Sequence, residues 1–367
     1  MNDVSRRLFI TGAAAVAAGG ATAGATGLLS SPPNSAGAHS DTAATHTYVA
    51  THGSDENTGH NWDNAVATIH TALKRSNYGT VHVGPGNYEG GFTIGRQAIR
   101  GAGRDATFIA NTSNSQSIVT MTDGALLSDL NIVGSPNFAG SGILITGTLV
   151  HVQDVDVKTD ADPHHNFQGT GIVTRDGEGC LFTRVACTRQ RLAWHIGGAN
   201  HVFVDMRGDS NYQDILIGEN EASDPATFKE SGAHLILGSK FVEGGNTGIQ
   251  GAPGVACIRI HGSGENTLID CDWEEADKAY WELTSDNNVL TRCAVAPGTF
   301  LTVSGAFNTI SGLKILGAAT ITGSDNTIWN TFAPYAGGLT VNGARNLVYG
   351  ENGSAATGSG IRRLSFS

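Results

Sequence analysis

The chain has 367 residues, of which 50 are Gly, 40% are hydrophobic and 15% are charged, and its net charge is −11 at pH 7. Gly is about twice as frequent as the usual 7% but follows no Gly-x-y period, which excludes collagen, and the hydrophobic content excludes an intrinsically disordered chain. The acidic charge disfavours binding to nucleic acids or anionic membranes. Abundant Gly, Ser, Thr and Asn predict a β-rich chain with many tight turns.

The N-terminus carries a predicted export signal. Arg6-Arg7 precedes an uncharged, Ala- and Gly-rich stretch over residues 11–29, and Ala36-Gly37-Ala38 offers a small-residue cleavage site. This order is typical of a twin-arginine signal, whereas the Gly and Thr residues make the stretch too polar for a transmembrane anchor. We therefore predict a signal peptide over residues 1–38 and a secreted or extracytoplasmic mature chain that is not inserted into a membrane.

Residues 39–79 are predicted to form an N-terminal cap. Val66, Ile69 and Leu73 recur at helical spacing, so a helix is predicted over residues 62–74, with Asp63 or Asn64 as its N-cap. Such a helix would cover the first hydrophobic coil of a solenoid. Residues 53–59 place oxygen ligands at alternate positions, as calcium loops do, but lack the late bidentate Glu. A capping turn is therefore favoured for residues 53–59. No cofactor is required by the sequence as a whole, and Ca²⁺ is left open as a possible ligand.

A repeat runs through the C-terminal half of the chain. The motif Asn-x-aliphatic occurs at Asn200, Asn266, Asn288, Asn308, Asn326 and Asn346, and the last five are 22, 20, 18 and 20 residues apart. In the last four copies, the positions seven and five before the Asn are also apolar. Apolar alternation indicates strands, and a turn at a fixed phase indicates a solenoid. Leucine-rich repeats share this period but need several Leu and a helical segment, so a single-stranded parallel β-helix over residues 80–367 is favoured.

Asn is expected at the corners of this β-helix, because it tolerates the left-handed conformation and its amide can form a ladder between coils. Earlier strands are predicted at Thr80–Val83, Ile118–Met121, Leu126–Ile132, Ile143–Ile145, Val150–Val157, Ile172–Thr174 and Leu181–Cys187. The 66 residues between Asn200 and Asn266 allow either three coils or two coils with insertions. Residues 158–169 and 218–230 are interpreted as inserted loops.

The cysteines do not indicate a disulfide framework or a zinc site, because their number is odd and no C-x-x-C pair occurs. The five are Cys180, Cys187, Cys257, Cys271 and Cys293. Cys271 and Cys293 each lie five residues after a repeat Asn, so they are predicted to stack in neighbouring coils.

The N-terminal region resembles that of a known superfamily. Residues 48–59 (Tyr-Val-Ala-Thr-His-Gly-Ser-Asp-Glu-Asn-Thr-Gly), the predicted helix and residues 81–88 (Val-His-Val-Gly-Pro-Gly-Asn-Tyr) are similar to the start of secreted right-handed parallel β-helix proteins of the pectate-lyase-like superfamily. The resemblance implies an all-β, right-handed parallel β-helix for nearly the whole mature chain. It does not specify the reaction, because the superfamily contains lyases, hydrolases, epimerases, fructan-transforming enzymes and phage tailspikes.

Candidate site residues concentrate in the central coils, where basic side chains outnumber acidic ones. The candidate catalytic residues are His164, Arg189, Arg191, His195, Asp209, Tyr212 and Asp214. The candidate substrate-binding residues are Asp162, His165, Arg175, Trp194 and Arg207. Arginines pair with carboxylates in a bidentate manner, which suits an acidic polysaccharide. The alternative is that these side chains occupy solvated outward positions of the coils.

Asp162-Pro163-His164 resembles the Asp-Pro-His motif of mannuronan C5-epimerases, whose Asp and His belong to the catalytic site. That family has a Tyr three positions before the Asp, where this chain has Thr159. The resemblance therefore implies a catalytic site that lacks the family's Tyr.

Three functions are compatible with these residues. The first is a secreted enzyme that removes the proton α to a uronate carboxylate, leading to β-elimination or C5 epimerisation. Arg189 and Arg191 would neutralise the carboxylate, His195 or His164 would be the base, and Tyr212 the acid.

The second function is hydrolysis or transfer on a neutral glycan such as a fructan, with Asp209 and Asp214 as the acid/base pair. The third is a non-catalytic glycan-binding or adhesin β-helix. The sequence leaves open whether the protein is a monomer or a homo-oligomer.

Overall fold

The computed structural model describes residues 46–110, 117–136, 138–159, 169–218, 231–242, 256–262, 264–274, 280–295, 300–333, 338–349, 352–353, 357–358 and 361–363. These residues form the parallel β-helix that the repeat predicted. Most complete coils contribute three short strands, and two coils contribute one short and one long strand. The strands stack into three faces. Face 1 is an eleven-stranded sheet, and faces 2 and 3 together form a 24-stranded sheet that bends between them.

Face 1 is built from one strand of each coil. Its strands are Phe92–Ile94, Val119–Met121, Ser141–Ile145, Thr170–Thr174, Leu192–Ile196, Gln213–Ile217, Ala256–Ile260, Tyr280–Leu283, Phe300–Val303, Ala318–Ile321 and Leu339–Val341.

Face 2 comes after face 1 along the chain. Its strands are His46–Val49, Thr80–Val83, Ala98–Arg100, Leu181–Thr183, Val202–Val204, Leu235–Leu237, Thr267–Ile269, Val289–Thr291, Thr309–Ser311, Thr327–Trp329, Asn346–Tyr349 and Ile361–Arg363. Two longer strands, Leu126–Gly134 and His151–Thr159, pass from face 2 into face 3. Face 3 continues with Gly86–Glu89, Thr107–Ala110, Ala186–Thr188, Arg207–Asp209, Lys240–Val242, Asp272–Glu274, Ala294–Val295, Lys314–Ile315, Phe332–Ala333 and Asn352–Gly353.

The core lies inside the coils and is made of the alternating apolar positions found in the sequence. The residues predicted seven and five positions before each Asn are all buried and stack on face 1 in register: Trp281, Leu283, Leu301, Val303, Ala319, Ile321, Leu339 and Val341. Full burial of one such aliphatic side chain contributes about 1.5–3 kcal/mol. Stacked apolar columns therefore hold consecutive coils in register.

The Asn ladder is present, but the corner conformation belongs to the residue before each Asn. Asn287 and Phe307, for example, have φ values of 58° and 57°, while the next residues, Asn288 and Asn308, point inward and are fully buried. The backbone N–H of Asn288 donates to Oδ1 of Asn308 at 2.8 Å, and the backbone N–H of Asn308 donates in the same way to Asn326. The side chain of one coil thus satisfies a buried backbone donor of the preceding coil.

Two histidines extend this ladder, which corrects the sequence alignment of the repeat. His234 and His201 occupy the positions equivalent to Asn266, while Asn200 is the left-handed residue at the corner, with φ 59°. The backbone N–H of His201 donates to Nδ1 of His234 at 3.3 Å, and that of Cys180 donates to Nδ1 of His201 at 3.1 Å. Burial lowers the pKa of His201 to about 4, so its imidazole is neutral at pH 7 and accepts this bond.

The 66 residues between Asn200 and Asn266 form two coils with insertions, because Val202–Val204 pairs directly with Leu235–Leu237, which in turn pairs directly with Thr267–Ile269. The predicted loop 218–230 lies outside the described residues except for Gly218, and so does most of the loop 158–169. Cys271 and Cys293 are buried at equivalent positions of neighbouring coils, as predicted. Among the described side chains, the cysteines are free thiols.

The predicted helix over residues 62–74 is shorter and starts later. A 3-10 turn occupies Trp62–Asn64, and the α-helix, α1, spans Ile69–Arg75 with Thr68 as its N-cap. The carboxylate of Asp55 accepts bonds from the backbone N–H groups of Ala67 and Thr68 at 3.0 and 2.9 Å. These bonds hold the chain extended before Thr68, so the helix cannot begin at Trp62. The predicted cap also contributes the first strand of face 2, His46–Val49.

Candidate functional site

The structure distributes the predicted site residues over several parts of a coil. Asp162, His164 and His165 lie outside the described residues. The other nine fall into four groups: Trp194 and Asp214 inside the coils, Arg207 and Asp209 on face 3, Arg189, Arg191 and Tyr212 at the corner between faces 3 and 1, and Arg175 and His195 on face 1. Their concentration in the central coils of the sequence therefore does not bring them together into one site.

Trp194 is a core residue, which corrects its assignment to substrate binding. It is fully buried and packs edge to face against Phe241, with ring centroids 5.6 Å apart. A side chain enclosed in this way offers no ring face to a sugar. The position is inward because Trp194 aligns with Ile172 and Ile215 of the neighbouring coils.

Asp214 is also inside the coils, so it cannot pair with Asp209 as the acid and base of a hydrolase. Its Oδ1 accepts a hydrogen bond from Nδ2 of Asn211 at 3.1 Å, and it fills the space left by Gly208, where a Cβ would lie 2.7 Å from Oδ1. Burial raises the pKa of Asp214 to about 7. Asp209 points outward from face 3 with Arg207, on the other side of the backbone.

Arg184, a further basic residue of the central coils, is engaged in an ion pair at the corner between faces 2 and 3. It is left-handed, with φ 52°, and its Nε and guanidinium terminus bind both carboxylate oxygens of Asp154 at 2.7 and 2.6 Å. Arg104 binds the same carboxylate at 3.1 Å. For Arg184, the interpretation as an outward coil position is the one that fits.

Arg189, Arg191 and Tyr212 lie where face 3 turns into face 1. Arg189 is a left-handed corner residue with φ 56°, while Arg191 and Tyr212 occupy equivalent positions of neighbouring coils, just before the strands Leu192–Ile196 and Gln213–Ile217. His195 lies four residues after Arg191, which is about 13 Å along an extended strand. Tyr212 and His195 are thus at opposite ends of the face and are poorly placed to act on one sugar carbon.

His195 lies on the outward column of face 1, next to Arg175. Its Nε2 lies 3.2 Å from the carbonyl oxygen of Gly218, so Nε2 carries the proton and donates it. Burial lowers the pKa of His195 to about 4, and the positive charge of Arg175 acts in the same direction. The imidazole is therefore neutral at pH 7 and is a weak proton acceptor.

Three further residues on face 1 were missed by the sequence analysis. Arg259 and Glu282 continue the outward column of His195, and His261 comes two residues after Arg259. Nε of Arg259 donates to Oε2 of Glu282 at 2.8 Å, and Nε2 of His261 lies 3.8 Å from the same oxygen. About a quarter to a third of each side chain is exposed. The sequence does contain a signal, because Arg259 and His261 alternate along one strand and Glu282 follows at the equivalent position of the next coil. It was missed because the number of coils between Asn200 and Asn266 was uncertain.

Face 1 thus carries an outward strip of Arg175, His195, Arg259, His261 and Glu282, which we call the face 1 strip. From the coil of His195 to that of Arg259 is two coil spacings, or about 10 Å. The strip combines guanidinium groups able to bind a carboxylate with imidazole and carboxylate groups able to move a proton. Among the described residues, no cluster of three or more His, Cys, Asp or Glu side chains is arranged to hold a metal ion.

Comparisons with known proteins support the fold. No protein-family model and no curated protein sequence matches the chain. The A-module of the mannuronan C-5 epimerase AlgE4 from Azotobacter vinelandii aligns with a TM-score of 0.50 at 10% identity, covering 79% of this chain and 90% of that one.

An alginate lyase from a Paenibacillus species aligns with a TM-score of 0.46 at 14% identity, covering 80% and 95% of the two chains. The pectate lyase Pel9A aligns with a TM-score of 0.48 at 13% identity, covering 86% and 78%. The parallel strand order together with the likeness to the epimerase module identifies the chain as a right-handed parallel β-helix.

Proposed function

We propose that this protein is an extracytoplasmic enzyme that acts on a uronate-containing polysaccharide, by β-elimination or C5 epimerisation. The observation that carries the proposal is the face 1 strip: Arg175, Arg259, His261 and Glu282 reach the surface of one sheet, in a chain whose net charge is −11. His195 lies buried in the same outward column, beneath that surface. The strip carries two arginines against one glutamate, and this excess of positive charge on an acidic protein favours a ligand with negative charges. A polyuronate has one carboxylate on each sugar.

Each member of the strip has a role in this proposal. Arg259 binds the uronate carboxylate and stabilises the negative charge that develops when the neighbouring C–H bond breaks. His261 accepts that proton, with the carboxylate of Glu282 stabilising the imidazolium. Arg175 binds a carboxylate further along the polymer. The buried His195 donates to the carbonyl oxygen of Gly218 and so holds the backbone at the end of the strand Gln213–Ile217.

The two reactions share proton removal and differ in the next step. In β-elimination the C4–O bond breaks, a C4–C5 double bond forms, and the departing oxygen takes a proton from the protonated His261 or from water. In epimerisation C5 takes a proton from water on the opposite side of the ring, and His261 releases the first proton to solvent. Arg189, Arg191 and Tyr212 would contact the polymer at the other edge of face 1. Asp162, His164 and His165, as residues of the Asp-Pro-His loop, remain proposed contributors.

We further propose that the protein is exported by its N-terminal segment. Arg6-Arg7 before a weakly hydrophobic run supports this, and a polysaccharide outside the cytoplasm would be its substrate. Within the described ranges, no helix has both the length and the apolar character needed to cross a bilayer.

The test uses purified protein with polymannuronate, polyguluronate and polygalacturonate. The ultraviolet absorbance of the unsaturated product reports elimination, and proton NMR of the polymer reports epimerisation. We expect His261→Gln and Arg259→Gln to lower kcat/KM by at least 100-fold, about 2.7 kcal/mol of transition-state stabilisation. The matched control is Arg292→Gln, an arginine paired with Asp270 at the corner between faces 2 and 3.

The variants separate the possible outcomes. Activity lost in His195→Gln but kept in His261→Gln would return the role of base to His195, as the sequence suggested. Full activity in both variants, or activity only on a neutral glycan, would contradict the proposal. Binding of polyuronate without turnover, weakened in Arg259→Gln, would leave the strip as a glycan-binding surface.

A further inference from the structure

The first two strands of face 2 bring two histidines together on the outer surface of the β-helix, away from the face 1 strip. Tyr48 pairs in register with His82, and His46 lies two residues before Tyr48, so both imidazoles project from the same side of the sheet. Nδ1 of His46 lies 2.9 Å from Nε2 of His82, and the rings stack with centroids 5.2 Å apart. Neither side chain takes part in the proposed reaction.

The neighbouring rings fix the position of His82. Tyr48 stacks on it, with a centroid distance of 5.0 Å and an angle of 19° between the ring planes. Trp62 packs edge to face on Tyr48 at 4.9 Å and is itself half exposed. Because aromatic packing restricts the imidazole, less conformational entropy is lost when its nitrogen binds a ligand.

The distance between the two nitrogens selects a metal geometry. Imidazole nitrogens bind metals of this class at about 2.0–2.1 Å, so two nitrogens 2.9 Å apart subtend about 90° at a shared metal ion. That angle belongs to neighbouring positions of a square-planar or tetragonal site. A tetrahedral site would need a separation of about 3.3 Å at the same bond length. Square-planar and tetragonal geometry with nitrogen ligands is characteristic of Cu²⁺ and Ni²⁺.

We propose that His46 and His82 form a surface site for Cu²⁺, with water at the remaining positions. Cu²⁺ is preferred over Ni²⁺ because it stands highest in the order of affinities for nitrogen ligands. Arg100 lies beside His82 on the next coil, and its charge opposes the binding of any cation, so the affinity must come from the two nitrogen ligands. Because Ca²⁺ and Mg²⁺ need oxygen ligands, the two imidazoles discriminate against them.

His46 and His82 can bind Cu²⁺ without releasing a proton to solvent. In the hydrogen bond between the two rings, one of the facing nitrogens carries the proton. When both facing nitrogens bind the metal, that proton moves to the other nitrogen of its own ring. Because His46 and His82 belong to successive strands, the bound metal links the first coil to the second.

The test titrates CuCl₂ into the full chain and monitors binding by calorimetry and electron paramagnetic resonance. We expect one tight equivalent with a spectrum of two equatorial nitrogens. His46→Ala and His82→Phe should each weaken this equivalent at least tenfold. His82→Phe keeps a ring stacked on Tyr48, which guards against loss of structure. The matched control is His70→Ala, an exposed histidine of α1 that contacts Phe92.

Two results would overturn the site. One is unchanged affinity and stoichiometry in folded His82→Phe, with folding checked by circular dichroism. The other is a spectrum with a single nitrogen in the wild type. An equal affinity for Ca²⁺ in competition with Cu²⁺ would also contradict the ligand assignment. The proposal stands apart from the face 1 strip, because His261→Gln should bind Cu²⁺ like the wild type.

Discussion

Replacing Asp214 with Asn should change how the stability of the protein depends on pH. The pKa of Asp214 is raised by burial from 3.8 to about 7, so the folded protein keeps this proton up to neutral pH while the unfolded chain releases it near pH 3.8. The unfolded state therefore binds fewer protons in this window, and stability falls as pH rises through it. The full penalty above pH 7 is about 4 kcal/mol, from roughly three pKa units.

The amide of Asn cannot ionise, so the variant escapes this penalty. It also changes a pH-independent term, because Oδ2 of Asp214 is buried and has no hydrogen-bond partner among the described residues, and an amide group there would be unpaired too. The informative quantity is therefore the change with pH. Between about pH 5 and pH 8, the stability of Asp214→Asn relative to wild type should rise by about 3 kcal/mol.

The measurement is the urea unfolding free energy of both proteins at the two pH values. Asp205→Asn is the control, because Asp205 is an exposed corner residue on the coil before Asp214 and its replacement removes a carboxylate from the surface and not from the core. A constant difference between Asp214→Asn and wild type would refute the reasoning, since it would mean that the folded protein accommodates the ionised carboxylate.

Three further outcomes are expected. Burial lowers the pKa of His201 to about 4, so the folded protein binds this proton less readily than the unfolded chain does. The free energy of unfolding should therefore fall by up to about 3 kcal/mol as the pH drops from 6.5 towards 4. His201→Asn, which can continue the ladder, should flatten this part of the urea-stability profile. Asn308→Ala leaves the backbone and side-chain N–H groups of Asn288 without their shared acceptor, so urea unfolding should show a loss of about 2–4 kcal/mol. The control Asn342→Ala, at an exposed position without a left-handed backbone, should cost less than about 1 kcal/mol. Replacing Arg6-Arg7 with two lysines should retain the precursor in the cytoplasm, which cell fractionation and immunoblotting would detect; normal export would contradict the twin-arginine signal.

The sequence predicted the fold because inward positions repeat in register. Trp281 and Leu301, separated by one coil, are apolar for the same reason, namely that each packs on the next in the core. Alternation within a strand therefore identifies the interior without knowledge of the three-dimensional path. The helix was mispredicted because its start depends on Asp55, which acts from twelve and thirteen residues earlier in the chain.

The site could be predicted only in part, because alternation separates inside from outside but does not assign an outward residue to a face. Arg207 and His195 are twelve residues apart and both basic, yet one lies on face 3 and the other on face 1. The face depends on where the left-handed corners lie. Arg189 and Ser210 are left-handed corners that cannot be recognised from the sequence, because neither is a glycine or an asparagine. Asn200 was likewise placed in the ladder, where His201 lies, because this left-handed corner residue also matches the motif Asn-x-aliphatic.

The face 1 strip and the buried Asn ladder contribute differently to stability, so variants of the strip can be tested for activity separately from folding. Arg259 and Glu282 form a partly exposed ion pair, and such a pair contributes about 0–1 kcal/mol to stability. The buried ladder contacts of Asn288 and Asn308 are worth several times more, because their loss leaves unsatisfied donors in the core. A large loss of turnover in Arg259→Gln with an unchanged unfolding midpoint would therefore report on chemistry at the strip. The same loss with a lowered midpoint would show that the ion pair holds the coils together and would remove the main support for a catalytic role.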